Sequence, residues 1–413
     1  MAISYWHPWG GDYCDFAQKV IDDFNASQDK ITAENVCLGG QNFDEKLITA
    51  ISGGNPPDMA NSWSPALTLA QQGALLALDE YYKASGTIKE EDFYPASWAS
   101  CVFKNQIWAM PSVSGPSLIY YAKKLFREAG ISEDPKDFPT DWAGVRALAK
   151  KLTKKDSSGK YVQVGYAPWK YGVIDLCVWA AGNGVMHYDT QAMVYHFDDP
   201  AVADVLVEWR KYIDEIFEGD AGKADDVSWT GWNSGAAPDS GWMLNQVGMV
   251  NGGHWDARGY HSFDPDFEFG MAKYPIGPKG TKSFTKWSPC WWILPQGCAH
   301  PQEGWNLIEY WELEGLKTWQ RLSSDMSPRL ADFEIVPDSI VELFGDKAAE
   351  TWQWWTELVK DAVSYAIEPN AAYMGETVQA AIDAVILDNK DPVAELKIAQ
   401  EKVTQNLQEV LGG

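Results

Sequence analysis

Residues 3–73 alternate short apolar runs with stretches of helical periodicity, and this rhythm limits the fold more than any other feature of the chain. Ile3, Ser4, Tyr5 and Trp6 read as a strand. Residues 12–24 follow as a helix, with Phe16, Val20, Ile21 and Phe24 on one face. Val36, Cys37 and Leu38 read as a second strand, closed by Gly39 and Gly40. Asn42 followed by Glu45 has the pattern of a capping box. It opens a helix carrying Phe43, Leu47, Ile48 and Ile51, which Gly53-Gly54-Asn55-Pro56-Pro57 breaks. Met59 and Ala60 begin a third strand, and residues 65–72 form a helix stopped by Gly73. Strand and helix in strict alternation imply a parallel sheet with helices on both faces.

The middle of the chain is more helical. Leu118 to Tyr121 are a strand, and a helix over 123–129 ends at Gly130. Thr140 precedes a helix bearing Trp142, Val145, Leu148 and Leu152. Further helices are predicted over about 173–181 and 200–217. A loop-rich block spans 219–241, and residues 271–276 and 287–295 read as strands. The last hundred residues are almost wholly helical. Asp391-Pro392 supplies an N-cap and a first-turn proline to a final helix with Val393, Leu396, Val403, Leu407 and Val410 on one stripe. This order suggests two lobes, with extended segments near 110–111 and 273–275 as crossings. Open α/β sheets bind ligands at the carboxyl ends of their strands. Two facing lobes of this kind make a cleft suited to a small molecule.

With 33 basic and 58 acidic residues, the net charge is −25. A nucleic acid would be repelled along most of such a surface. No run of 18 apolar residues exists, so no transmembrane helix is expected. No signal peptide is visible, and a secreted protein with its leader removed would read the same way. The six cysteines at 14, 37, 101, 177, 290 and 298 include no C-x-x-C pair, which argues against zinc or a redox motif. Cys14 with Cys37 and Cys290 with Cys298 are the nearest pairs; the alternative is buried free thiols.

Catalytic and cofactor signatures are missing. The chain has no H-E-x-x-H, no G-x-S-x-G and no P-loop. Gly277-Pro278-Lys279-Gly280 has the wrong spacing to cradle phosphate. The six histidines are not paired at metal spacing, so neither a metal nor a cofactor is expected. Carboxylates are abundant, so a glycosidase pair stays open on sequence alone. The chain does contain 22 tryptophans. An indole needs either a core slot with a partner for its N–H or a task at the surface. Trp179, Trp209, Trp305, Trp311, Trp319, Trp352, Trp354 and Trp355 fall in helical patterns and read as packing residues. Trp142, at a helix start, reads the same way.

Five stretches in order resemble one family. They are Trp6-His7-Pro8-Trp9-Gly10-Gly11; residues 53–60 with 73–79; residues 106–111 with 118–121 and 125–130; residues 246–255; and Pro275-Ile276-Gly277-Pro278 with 300–305. Their order and spacing are similar to those of the extracellular carbohydrate-binding proteins of ABC importers, the maltose-binding-protein-like group. The resemblance covers nearly the whole chain. Tyr121 departs from it, since the family usually has asparagine after the strand tyrosine. What the resemblance implies is an α/β, two-lobed periplasmic-binding-protein fold with a ligand cleft between lobes and several hinge crossovers. The N-terminal lobe would comprise 1–110 and about 272–318, and the C-terminal lobe about 112–271 and 319–413. The implied role is capture of an oligosaccharide and delivery to a membrane permease, by a monomer that is not an enzyme. The implied location is extracellular, as a lipid-anchored or periplasmic protein. A secreted glycoside hydrolase and a receptor for a polyamine or metal chelate are the alternatives.

A pyranose offers C–H patches that pack on an aromatic face and edge hydroxyls that need directed partners. Loop tryptophans suit the first task. Trp63, after Asn61 and Ser62 at a strand's carboxyl end, and Trp255, followed by Asp256, are the leading candidates. Trp169 and Tyr171 fall in a loop that lines the site in relatives. Trp291 and Trp292 are consecutive on a strand and face opposite ways, with Trp291 expected toward ligand. Tyr373 precedes a late helix, and Trp229 and Trp232 suit a rim. His7 and His254 sit in loops after strands. Gln41, Asp12 and Ser114 are the polar candidates, against the alternative of caps and turns. So many aromatics suggest a ligand longer than one ring.

Overall fold

The computed structural model of the protein describes residues 1–40, 42–113, 115–229, 237–287, 289–360, 362–364 and 367–412. The chain divides into two compact units. The first comprises Met1–Gly115, Ser288–Thr356 and Ser364–Ala372, and the second comprises Pro116–Trp287, Glu357–Val363 and Tyr373–Gly413.

The first unit is built on a five-stranded sheet in the order Thr32–Cys37, Ala2–His7, Met59–Ser62, Trp291–Ile293, Met110–Pro111. The first three strands are parallel, as the βαβα rhythm requires. The last two run antiparallel to their neighbours, with Trp291 opposite Ser62 and Pro111. The sheet is therefore mixed. Residues 110–111, expected to cross between lobes, are instead a sheet edge.

Both faces of this sheet are covered. Tyr5, Trp9, Trp292, Trp311 and Trp319 fill one side, with Val20, Ile21 and Phe24 of the helix Asp12–Ser27. Phe43, Leu47, Ala60, Leu69 and Trp291 fill the other. Each such side chain contributes about 1.5–3 kcal/mol by leaving water. Trp9 and Trp319 lie 4.3 Å apart between ring centroids, and Trp292 and Trp311 4.7 Å. These contacts hold residues from Trp319 onward on the first unit. Tyr94 N donating to Pro328 O and Arg329 pairing with Asp92 extend the attachment. The boundary expected at about 318 thus falls after Thr356.

Asn42 caps the helix Phe43–Ser52 by position only; its side chain makes no cap hydrogen bond, so the capping box does not form. Cys14 and Cys37 form a disulfide with a Cα–Cα distance of 5.7 Å. Cys290 and Cys298 stay unpaired, as do Cys101 and Cys177.

The second unit has a three-stranded antiparallel sheet, Met249–Gly253, Ser117–Ala122, Phe269–Ala272. The central strand is buried along its whole length. Tyr121 donates its hydroxyl to Glu133 O at 2.8 Å. Its ring crosses Gly270, where an added Cβ would meet the ring at 2.0 Å. The tyrosine at 121 is thus matched to a glycine at 270. Residues 273–275, expected to cross between lobes, lie inside this unit. Ile276 N donates to Thr140 O at 2.7 Å and Gly277 N to Gly182 O at 2.9 Å, holding the segment down. The last helix, Pro392–Gly412, buries Leu396, Ala399, Val403 and Leu407; Val393 of the expected stripe is exposed. No helix among the described residues is long and apolar enough to cross a membrane.

Candidate ligand-binding site

In the first unit, the carboxyl edge of the sheet gathers His7, Asn61, Ser62, Trp63 and Trp291. Parallel pairing of Tyr5 with Met59 and Trp6 with Ala60 brings the ends of these strands level. Trp63 follows the strand Met59–Ser62 and is 44% exposed, the surface indole its position predicts. Ser62 sits behind it, its Oγ accepting from Ser64 N at 3.1 Å, a local turn that directs the chain outward.

Asn61 is fully buried. Its Nδ2 donates to Ser112 Oγ at 2.9 Å and to Trp291 O at 3.3 Å. It ties three strands together rather than reaching a surface. Trp291 is buried too, and its Nε1 donates to Ser100 Oγ at 3.0 Å. The two neighbouring indoles do point to opposite faces, but each face is a core, so neither is open to ligand. The expectation that Trp291 faces ligand is corrected on that ground.

His7 is buried with Nε2 paired to Asn35 Oδ1 at 2.9 Å. Burial lowers its pKa to about 4, against the opposing pull of the Asn35 hydrogen bond. A neutral imidazole therefore fixes the turn where the first strand ends. Asp12 is exposed at the first helical residue, where its charge favours the helix N-terminus. Gln41 and Ser114 lie outside the described residues, as does Trp232.

The second unit brings together Tyr171, His254, Trp255 and Asp256. Three bonds shape the turn after the strand Met249–Gly253. Gly253 N donates to Asp256 Oδ2 at 2.7 Å, and Tyr120 OH donates to Gly253 O at 2.8 Å. His254 N donates to Pro116 O at 3.0 Å. Position 253 must be glycine because the indole of Trp255 lies over it: an added Cβ would meet Trp255 Cε2 and Cζ2 at 2.2 Å. The His254 ring stands edge-on to that indole, with centroids 5.0 Å apart at 79°. His254 and Asp256 are buried, and Trp255 is half-exposed. The result is an indole seated on backbone and braced on its flank.

Sequence reasoning missed what stands beside this turn. Asn251, on the strand itself, accepts from Tyr166 OH at 2.6 Å through Oδ1 and donates to Asp175 Oδ1 at 2.6 Å through Nδ2. All three residues are buried. Burial pushes the Asp175 carboxyl above its ordinary range; Lys286, Tyr274 and Asn251 pull the other way. A legible signal existed: Asp175 is the one charge in the apolar helix Gly172–Gly182, and isolated buried carboxylates are rare.

Tyr171 belongs to the short helical turn Pro168–Tyr171. It is 7% exposed, and the Asn251 backbone acts on its hydroxyl as a hydrogen-bond donor. Burial raises its pKa far above the phenol range, and the negative charges of Asp175 and Asp256 act in the same direction. The hydroxyl is thus a neutral donor at physiological pH. Trp169, two residues earlier, goes elsewhere: it is buried edge-on against Phe217, with centroids 5.5 Å apart. Tyr373 is 40% exposed in the first turn of the helix Ala371–Ile386. Trp229 is half-exposed, and its Nε1 donates to Ala224 O at 2.7 Å. Of the helical tryptophans, Trp179, Trp209, Trp311, Trp319 and Trp355 are fully enclosed, whereas Trp354 is half-buried.

Among the described residues no group of three or more His, Cys, Asp or Glu is disposed to hold a metal ion. The polar groups at the Trp255 turn hold backbone and each other, an arrangement suited to presenting a flat apolar surface.

Residues 12–315 match the bacterial extracellular solute-binding protein family. The chain belongs to that family. A Brucella abortus (strain 2308) protein named only as a binding protein is 22% identical over 421 aligned positions, covering 97% of this chain and 91% of its own. The diacetylchitobiose binding protein DasA of Streptomyces coelicolor is 25% identical over 51% of this chain and 47% of its own. The solved structure of CpMnBP1 with mannotriose bound matches with a TM-score of 0.79 at 20% identity, covering 97% of this chain and 99% of that one. The fold of this solute-binding protein is accordingly the two-lobed periplasmic-binding-protein fold.

Proposed function

We propose that the protein is the receptor of an ABC importer that captures an oligosaccharide by aromatic stacking and hydrogen bonding and passes it to a membrane permease. The observation that carries this reading is the Trp255 turn, where a half-buried indole rests on Gly253 with the His254 ring edge-on to it. A flat apolar face matches a pyranose, which has C–H on its faces and hydroxyls at its rim. Trp63 on the first unit supplies an exposed indole. Relatives whose names specify diacetylchitobiose or mannotriose support a ligand of more than one sugar ring.

In this reading the protein binds without breaking a bond, works as a monomer and acts outside the cytoplasm. The Cys14–Cys37 disulfide supports that location, since such bonds persist in oxidising compartments. The test is a thermal-shift screen against manno-, malto- and chito-oligosaccharides with product analysis of each mixture. A ligand that binds only the folded state raises the melting temperature. The reading requires such a rise with the sugar recovered intact. Release of new reducing ends would replace it with a glycoside hydrolase.

A further inference from the structure

The buried chain Tyr166–Asn251–Asp175 lies next to the Trp255 seat on one face of one strand. Side chains alternate along a strand, so Asn251 and Gly253 project to the same side, about 7 Å apart. The space a side chain at 253 would fill is taken by the Trp255 indole. Asn251 is thus the next residue on that face of the strand from the position the indole covers.

That amide is fixed at both ends. Its Nδ2 donates to Asp175 Oδ1 and its Oδ1 accepts from the Tyr166 hydroxyl, each at 2.6 Å. Asp175 stands in the first turn of its helix, which packs within the same unit. The chain thus couples helix Gly172–Gly182 to the strand end that carries the platform. Tyr171, the residue before that helix, closes the other side; it lies close enough to Asp175 and Asp256 to feel both charges.

We propose that Asp175 is a positioning residue for the ligand platform: by fixing the Asn251 amide it holds the strand end and, with it, the orientation of the Trp255 indole. This rests on the reading of Trp255 as a sugar platform. Asp175 itself is 1% exposed.

Two measurements test it on the full chain. The first needs no ligand: protein labelled with 5-fluorotryptophan is examined by fluorine NMR, with the Trp255 resonance assigned by its loss in Trp255→Phe. Asp175→Ala should shift or broaden that resonance. Asp175→Asn, which keeps an acceptor oxygen, should restore it in large part. Tyr166→Phe removes the far hydrogen bond without opening a cavity, and it should move the same resonance if Asp175→Ala fails to fold.

The second measurement is calorimetric titration with mannotriose and diacetylchitobiose. Asp175→Ala should weaken whichever sugar binds by about tenfold, and the loss should vanish in a Trp255→Ala background, as coupled residues require. A lower melting temperature with an unmoved Trp255 resonance, or losses that add across the two sites, would reduce Asp175 to a structural residue and overturn the proposal. If the wild-type protein binds neither sugar while the resonance still responds to Asp175→Ala, the sugar assignment is at fault and the positioning role stands.

Discussion

Replacing Glu312 by glutamine should remove a pH-dependent weakness from the first unit. Glu312 lies in the π-helical segment Trp311–Gly315 and is 1% exposed. Burial raises its pKa well above 4.5; Asp332 and Asp92 add to the rise, and Arg329 and a hydrogen bond from the Trp292 indole offset it only in part. Arg329 is itself committed to Asp92 at 3.3 Å. In the unfolded chain the group ionises near 4.5, while in the folded chain it keeps its proton to higher pH. Over that interval the folded state binds more protons than the unfolded state. Stability therefore falls as pH rises, by about 1.4 kcal/mol per pH unit. Glu312→Gln has no proton to lose, so its slope should be flatter by that amount. The difference between the two proteins cancels other titrating groups, Asp175 included. Scanning calorimetry from pH 5 to 9 would show the variant gaining on the wild type as pH rises. Parallel profiles, or a wild type that gains on the variant, would refute the assignment of a buried neutral carboxyl.

The remaining expectations concern the Trp255 turn and the scaffold of the first unit. Gly253→Ala must displace the Trp255 indole, so sugar affinity should fall by about tenfold or more, or ~1.4 kcal/mol, with a smaller effect on melting; titration calorimetry beside thermal denaturation separates the two. Cys14→Ser with Cys37→Ser opens a loop closed over a separation of 23 residues and should cost about 3 kcal/mol of stability. A denatured thiol assay should count four free cysteines before reduction and six after it. His7 should titrate near 4 by NMR; because its folded pKa lies below the unfolded value, its contribution weakens the fold as pH drops from about 6.5 toward 4.

The βαβα rhythm of the first seventy residues was legible because parallel strands and their covering helices carry different periods, and the first three strands fall where those periods change. The strands near 118–121, 271–276 and 287–295 were legible, but their antiparallel pairing was not. Trp291–Ile293 joins the sheet from more than two hundred residues away, and no local pattern encodes that partner. Asn42 followed by Glu45 matched a capping pattern that the backbone at 42 does not use. At the site, Trp63 was readable from its place after a strand. Asn61 and Trp291 were not, because their burial depends on a second core on the far face of the sheet. Asp175 was visible as an odd charge in an apolar helix, yet its meaning required the strand residue Asn251 that the fold sets against it. Of the helical tryptophans read as packing, all but the half-buried Trp354 are buried.

The central claim is that the half-buried indole of Trp255, on a turn fixed by hydrogen bonds, meets the face of a sugar. Titration calorimetry of the wild type and of Trp255→Ala with mannotriose and diacetylchitobiose, at matched melting temperature, addresses it directly. The account predicts saturable binding of at least one sugar by the wild type and a loss of at least about tenfold in the variant, consistent with removal of a buried aromatic contact. Equal affinity in the two proteins would contradict it.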